Sequence, residues 1–426
     1  MDYIKWMLDR GDPQGGYSLT SVKKLLEILN NPQDKIKIIH VAGTNGKGSV
    51  VNYLSQAFIK SSAKCGTFTS PYIDNICESI EINGNYIPED EFIDYLKRIY
   101  PLVKDLDEKN FYTTSFEIFS ALAYLYFYDK KVDLAVIEVG MGGRTDGTNT
   151  MKAPLASVIT SLSLDHVAIL GNTIEEIAYQ KGGIIKDGVD VFLYPQVQGA
   201  YEVIKDIAEE KQAKLYTFSL EDVKILKSDE HGNVFTFKGE EYKTSLIGPH
   251  QAYNASLAIT VLKNLKDKFN LTDSIIKEAI RDAKNIARLE LMSHDPVLLL
   301  DGSHNMDGIK VLLSSLKNFN YNRLILGFSM LKDKDIKHVL EKLIPLTDQV
   351  VLTEINNPRK SDLKDLKNAV EKYKKDTYAI TNIEEAFKKT IELANKDDLI
   401  LWCGSLYLMA DIRKCALKYL KNKNAQ

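Results

Sequence analysis

The sequence predicts an α/β protein in two domains: residues 1–286, built on a mostly parallel sheet, and residues 287–426, a smaller Rossmann-like α/β domain. Three observations carry that expectation. Short apolar, β-rich runs alternate with stretches of helical spacing along most of the chain, the order that yields parallel strands covered by helices. A glycine-rich turn joins the first such run to the first long helix. The alternation then stops over the polar stretch Lys263–Glu290 and restarts, which puts a boundary near residue 287.

The elements follow in order. Ile36–Val41 is a β-rich run, and Gly46–Lys60 follows with helical spacing. Leu134–Val139 is a second apolar run with one acidic residue, Glu138, next to its end. Ala156–Thr160 and Val191–Tyr194 extend the series. Each reads as a strand buried on both faces. Beyond the boundary, Val297–Leu300, Arg323–Gly327, Gln349–Thr353, Tyr378–Ile380 and Leu399–Trp402 read as five more strands, with helical segments such as Asp335–Leu343 between them. There is no internal repeat.

Composition narrows the class. The chain is 44% hydrophobic and 27% charged with a net charge of −3, as in globular proteins with sizeable cores. No basic excess points to a nucleic-acid or membrane partner. The four cysteines, Cys65, Cys77, Cys403 and Cys415, form no CxxC pair and suit a reducing compartment. Met1–Gly16 lacks the apolar core of a signal peptide, and the uncharged apolar run Ile118–Tyr128 is too short to span a bilayer. A cytoplasmic monomer is the expectation.

The most informative segment is "HVAGTNGKGSV", His40–Val50. It leaves a strand and opens a helix, the context of a phosphate loop. Gly43 and Gly46 let the backbone turn its N–H groups toward an anion, and the helix N-terminus adds a positive partial charge. Lys47 places a point charge on the β and γ phosphates. A Walker A loop has Ser or Thr directly after the lysine as a magnesium ligand. Here Gly48 stands there and Ser49 follows, so metal ligands are expected from elsewhere.

"GTNGKGS" resembles the phosphate loop of the Mur ligase superfamily, in its folylpolyglutamate synthase and dihydrofolate synthase branch. The resemblance continues from about Ser18 to Leu408, through "VIEVGMGGRTDGTN" (Val136–Asn149), "LDHVAILGNTIEEIAYQKGGIIK" (Leu164–Lys186), "LIGPHQAYNASLAI" (Leu246–Ile259) and "ARLELMSHDPVLLLDGSHN" (Ala287–Asn305). It implies a P-loop ATPase-like first domain and an ATP-dependent ligase that adds L-glutamate to folate through an acyl phosphate. Dihydropteroate as a second acceptor is left open: the Asp146 match favours it and the Cys77–Ile80 stretch opposes it.

The resemblance also implies a site. ATP is held by Gly43, Thr44, Asn45, Gly46, Lys47, Gly48, Ser49, His250, Gln251, Asn254, Arg288 and Asp301. Two Mg²⁺ ions are held by Ser70, Glu138, His166 and Lys181, the lysine as a carbamate that turns a cation into an anionic ligand. Ser70, Pro71, Tyr72 and Asp146 face folate. Lys47, Asp301 and His304 are the catalytic candidates. Glu117 fits the same pattern, a single charge in an apolar helix that needs a partner or a function. The family commonly reads Asn-Glu-Arg-Ile where this chain has Cys77-Glu78-Ser79-Ile80, so an arginine is missing beside the substrate loop. Two other readings compete: a ligase of UDP-muramyl peptides, sharing the ATP site, and a P-loop switch without ligase activity.

Overall fold

Strand β1 (Ile38–Ala42) is buried at every position, as its unbroken apolar run requires. It belongs to an eight-stranded sheet in the computed structural model, which describes residues 1–11, 16–373 and 376–424. Its partners are β2 (Cys65–Phe68), β3 (Ile80–Ile82), β4 (Asn85–Tyr86), β5 (Leu134–Glu138), β6 (Ala156–Ile159), β7 (Val191–Leu193) and β8 (Leu215–Tyr216). The order is β4-β3-β2-β5-β1-β6-β7-β8. From β2 to β8 the neighbours run parallel, while β3 and β4 add an antiparallel edge.

The chain divides into two units. Unit 1 comprises Met1–Lys224, Thr236–Tyr242 and Ala252–Ala283; unit 2 comprises Ile225–Phe235, Lys243–Gln251 and Lys284–Gln426. Unit 1 holds the large sheet, with hydrophobic clusters packed against it. One gathers Phe68, Phe92, Phe119, Tyr124 and Phe127, and another Ile159, Ile184, Leu193 and Ile204. Each fully buried side chain of this size contributes about 1.5–3 kcal/mol relative to exposure.

Unit 2 carries a six-stranded sheet: β12 (Glu290–His294), β13 (Val297–Asp301), β14 (Leu324–Phe328), β15 (Gln349–Leu352), β16 (Asp376–Ala379) and β17 (Leu399–Cys403), once the small sheet β9 (Val223–Asp229), β10 (Gly232–Phe237) and β11 (Glu240–Thr244) has been passed along the chain. The order is β12-β13-β17-β14-β15-β16, parallel except for the β12 edge. The residues of the small sheet are divided between the two units.

The α/β class expected from the sequence is therefore the one observed, and all nine strands read from apolar runs are present. The sequence reading missed β2, whose four residues include Gly66 and Thr67, the two- and three-residue strands β3, β4 and β8, and β9 to β12, which mix polar with apolar residues. Among the described residues no helix is long and apolar enough to cross a membrane.

Candidate active site

The Gly43–Gly46 turn leaves the carboxyl end of β1 and enters the Lys47–Lys60 helix. Thr44 N–H donates to the Ser161 carbonyl (2.9 Å), and the Thr160 hydroxyl donates to the Asn45 carbonyl (2.7 Å), so the segment after β6 braces the loop. Gly46 is the helix N-cap with φ +87° and no side-chain cap. The first N–H groups of the helix have no partner within it and lie where an anion would be received. A Cβ on Gly46 would stand 2.6 Å from Asn254 Oδ1. Asn254, read from sequence as an adenine-side residue, is thus packed beside the phosphate loop.

Three charged groups meet there. Lys47 Nζ donates to the Gly43 carbonyl (3.2 Å) and lies 3.8 Å from Glu138 Oε1. Lys181, at the carboxyl end of the Ile174–Gly182 helix, donates to the same carbonyl at 2.9 Å. Glu138 ends β5, level with Val41 of β1, so the carboxylate reaches the edge where parallel sheets take their ligands. Glu138 Oε2 is 3.8 Å from the place a Cβ on Gly48 would occupy. Lys181 is buried, and burial first, then repulsion by Lys47, lowers its ammonium to about 7.

The other predicted metal ligands are less gathered. Ser70 follows β2, whose Phe68 pairs with Ile137 beside Glu138, so it stands at the same sheet edge. His166 caps a short helix, Val167–Leu170, with a half-exposed ring 3.8 Å from Asp165. Among the described residues no three His, Cys, Asp or Glu side chains form a metal cluster. The predicted set contains only two such residues, with a hydroxyl and a lysine completing it. The donors suit a hard cation, which takes carboxylate, hydroxyl and phosphate oxygens.

The predicted folate-facing residues divide. Ser70, Pro71 and Tyr72 lie on a part-exposed loop. Asp146 is buried, and both oxygens already accept hydrogen bonds: from Met141 N–H (2.8 Å), Thr148 N–H (3.0 Å) and the Thr148 hydroxyl (2.5 Å). Burial raises its pKa against those donors. These hydrogen bonds hold the loop after β5. His40 was not singled out by sequence, yet it belongs to this network. Its Nε2 lies 2.9 Å from Thr148 Oγ1. Because that hydroxyl donates to Asp146, the imidazole must donate through Nε2 and stay neutral. Burial first, then Lys186, pushes its pKa down to about 3. A histidine inside an otherwise apolar strand was the available signal.

Glu117 has its partner. It closes a capping box, accepting from Thr114 N–H (2.8 Å) and the Thr114 hydroxyl (2.9 Å). Cys77 and Ser79, where the family pattern differs, are both buried in the Ile76–Ser79 turn.

In unit 2, Asp301 ends β13 and accepts from Leu289 N–H and Ser303 N–H, both 2.9 Å. Burial raises its pKa; the Ser303 hydrogen bond and the Arg288 charge oppose that. His304 Nδ1 sits 2.9 Å from the Gly302 carbonyl, which fixes the proton on Nδ1 and leaves the lone pair on Nε2. His250 is held neutral by burial, its pKa lowered to about 4. Gln251 is buried.

The family model described as the Mur ligase middle domain matches residues 41–262, and the Mur ligase glutamate ligase domain matches residues 287–406. The chain belongs to the Mur ligase family. This Mur ligase is 37% identical to the dihydrofolate synthase/folylpolyglutamate synthase of Bacillus subtilis, over 93% of this chain and 94% of the relative. It is 33% identical to the folylpolyglutamate synthase of Lacticaseibacillus casei, over 92% and 93%. Its structure resembles that of Mycobacterium tuberculosis folylpolyglutamate synthase complexed with ADP and AMPPCP, with a TM-score of 0.86, 29% identity and 97% of each chain covered.

Proposed function

We propose that this Mur ligase, an ATP-dependent ligase, joins the α-amine of L-glutamate to the γ-carboxylate of a folate, and also accepts dihydropteroate. The observation that carries this reading is the convergence of Lys47 and Lys181 on the Gly43 carbonyl, with Glu138 beside Lys47. The names of the relatives support the substrate class.

A carboxylate is a poor electrophile. In the proposed reaction its oxygen attacks the γ-phosphorus of ATP, the bond to ADP breaks, and an acyl phosphate forms. The neutral amine of glutamate then attacks the acyl carbon, and phosphate leaves through a tetrahedral intermediate. The first attack brings an anion to a polyanion, so positioning and charge neutralisation are the main tasks. The loop N–H groups and Lys47 receive the phosphates. Arg288 offers a planar fork for phosphate oxygens. The Nε2 lone pair of His304, or Asp301, takes the proton from the amine. His250, Gln251 and Asn254 serve the adenine end, with Asn254 also bearing on Gly46.

Two Mg²⁺ ions, held by Ser70, Glu138, His166 and carbamylated Lys181, would supply further neutralisation of the phosphates. Lys181 fits the carbamate because its ammonium is lowered to about 7, so much of it is the neutral amine that adds to CO₂, releasing a proton. We assign the two catalytic parts to domains 1–286 and 287–426, and the working form to a cytoplasmic monomer.

The test is direct. With ATP, tetrahydrofolate and labelled L-glutamate, mass spectrometry should find one added glutamyl residue per ADP released. Product formed only with a UDP-linked muramyl peptide would favour that branch. ATP hydrolysis with no amide product would favour a switch. Lys181→Ala should lose activity, and stripping CO₂ from the buffer should slow the native chain; indifference to CO₂ would remove the carbamate.

A further inference from the structure

The chain has eight arginines. Six are ion-paired to an aspartate or glutamate. Of the other two, Arg288 is already assigned to phosphate. Arg144 remains, and among the described residues it forms no ion pair.

Its backbone is fixed. Arg144 N–H donates to the Gln180 carbonyl (2.8 Å), and its own carbonyl accepts from Asn149 Nδ2 (3.2 Å). The guanidinium lies over the Tyr179 ring, its central carbon 3.9 Å from the centroid. One terminal nitrogen donates to the Tyr179 carbonyl at 3.3 Å, and the buried Nε has no hydrogen-bond partner. The ring contact and the Tyr179 carbonyl hold the guanidinium while its other terminal nitrogen carries no hydrogen bond among the described residues and can receive a carboxylate.

The surroundings suit an anion attached to an apolar body. Half-exposed Tyr179 walls an open groove of about 490 Å³ with Ile169 and Leu170. Glu175 and Glu176 also line it. Glu176 is committed to its own helix start, accepting from Asn172 N–H (2.7 Å) and Thr173 N–H (3.1 Å). Arg144 also stands in a cluster of cations around Lys186, which is lowered to about 8 by burial first, then by Lys23, Lys211 and Arg144, with Asp187 opposing. A bound anion would relieve that repulsion.

We propose that Arg144 is a specificity-determining residue that takes a non-reacting carboxylate of the acceptor's glutamate chain. The proposal rests on the folate reading above. A purely structural role is the alternative, since a cation at the carboxyl end of the Ile174–Gly182 helix also favours its dipole.

The two differ in which substrates they affect. In the full chain, Arg144→Gln should raise the KM for tetrahydrofolate and the inhibition constant of pteroylglutamate about tenfold or more, the size expected for one charge-assisted hydrogen bond. The KM for ATP and the inhibition constant of pteroate, which lacks the glutamate, should stay within about twofold. Arg144→Lys should recover part of the loss, and it gives the same comparison if the glutamine variant does not fold. Equal effects on pteroate and pteroylglutamate, including none, would overturn the proposal, as would a lower melting temperature and kcat with unchanged KM. A native chain that adds no glutamate to tetrahydrofolate would instead sink the folate reading itself.

Discussion

Gly46 shows how much one residue decides. At φ +87° and with Asn254 2.6 Å from where a Cβ would sit, it has no room for a side chain. Gly46→Ala should cost about 1–2 kcal/mol from backbone strain alone and lower ATP turnover by more than tenfold, read by thermal melting and ADP release. Lys47→Ala should keep the melting temperature near native and lose at least a hundredfold in turnover; normal turnover would remove Lys47 from the chemistry. His40 carries a pH prediction. Its folded pKa, about 3, lies below the unfolded 6.5, so between those values the unfolded chain binds more protons. Stability contributed by neutral His40 is complete above pH 6.5 and is lost as pH falls toward 3, by on the order of 4 kcal/mol. His250 acts in the same direction between 6.5 and about 4. Denaturant unfolding at pH 7 and 4.5 checks this: His40→Asn should lose less stability on acidification than the native chain. An equal loss in both would contradict it.

At the scale of elements, the site depends on short segments held by buried polar groups. The loop after β5 is tied by Asp146, Thr148 and His40, with the Tyr124 hydroxyl donating to the Thr148 carbonyl at 2.6 Å. Asp146→Asn retains one acceptor oxygen and should destabilise by about 1–3 kcal/mol, with a raised KM for the folate acceptor; an unchanged melting temperature would contradict the loop-holding role. The same elements show what was legible in the sequence. β1, β5 and β13 were readable because parallel strands buried on both faces carry unbroken apolar runs. Residues 43–49 were readable because a phosphate loop demands glycine and lysine at fixed offsets. β9 to β12 were not, since these strands mix polar and apolar residues as many loops do. The capping role of Glu117 was written as Thr-x-x-Glu in "TSFE", although the apolar helix around it drew attention to the charge instead. The His40–Thr148–Asp146 network spans residues distant in sequence, and only the fold brings them together.

For the whole molecule, each of the two α/β units matches a different Mur ligase family model, the middle domain at residues 41–262 and the glutamate ligase domain at residues 287–406. The proposed phosphate loop was legible in one heptapeptide, and the ligase class through the resemblance of several ordered segments. The acceptor was less legible, because the segment Cys77–Ile80 departs from the family pattern. The most direct measurement is a stoichiometric one: ADP released and γ-glutamyl product formed from tetrahydrofolate and L-glutamate, for the native chain and Lys47→Ala. The expected result is one ADP per amide bond in the native chain and neither product in the variant. ADP released without any glutamylated folate, or amide formed equally well by Lys47→Ala, would contradict the assignment.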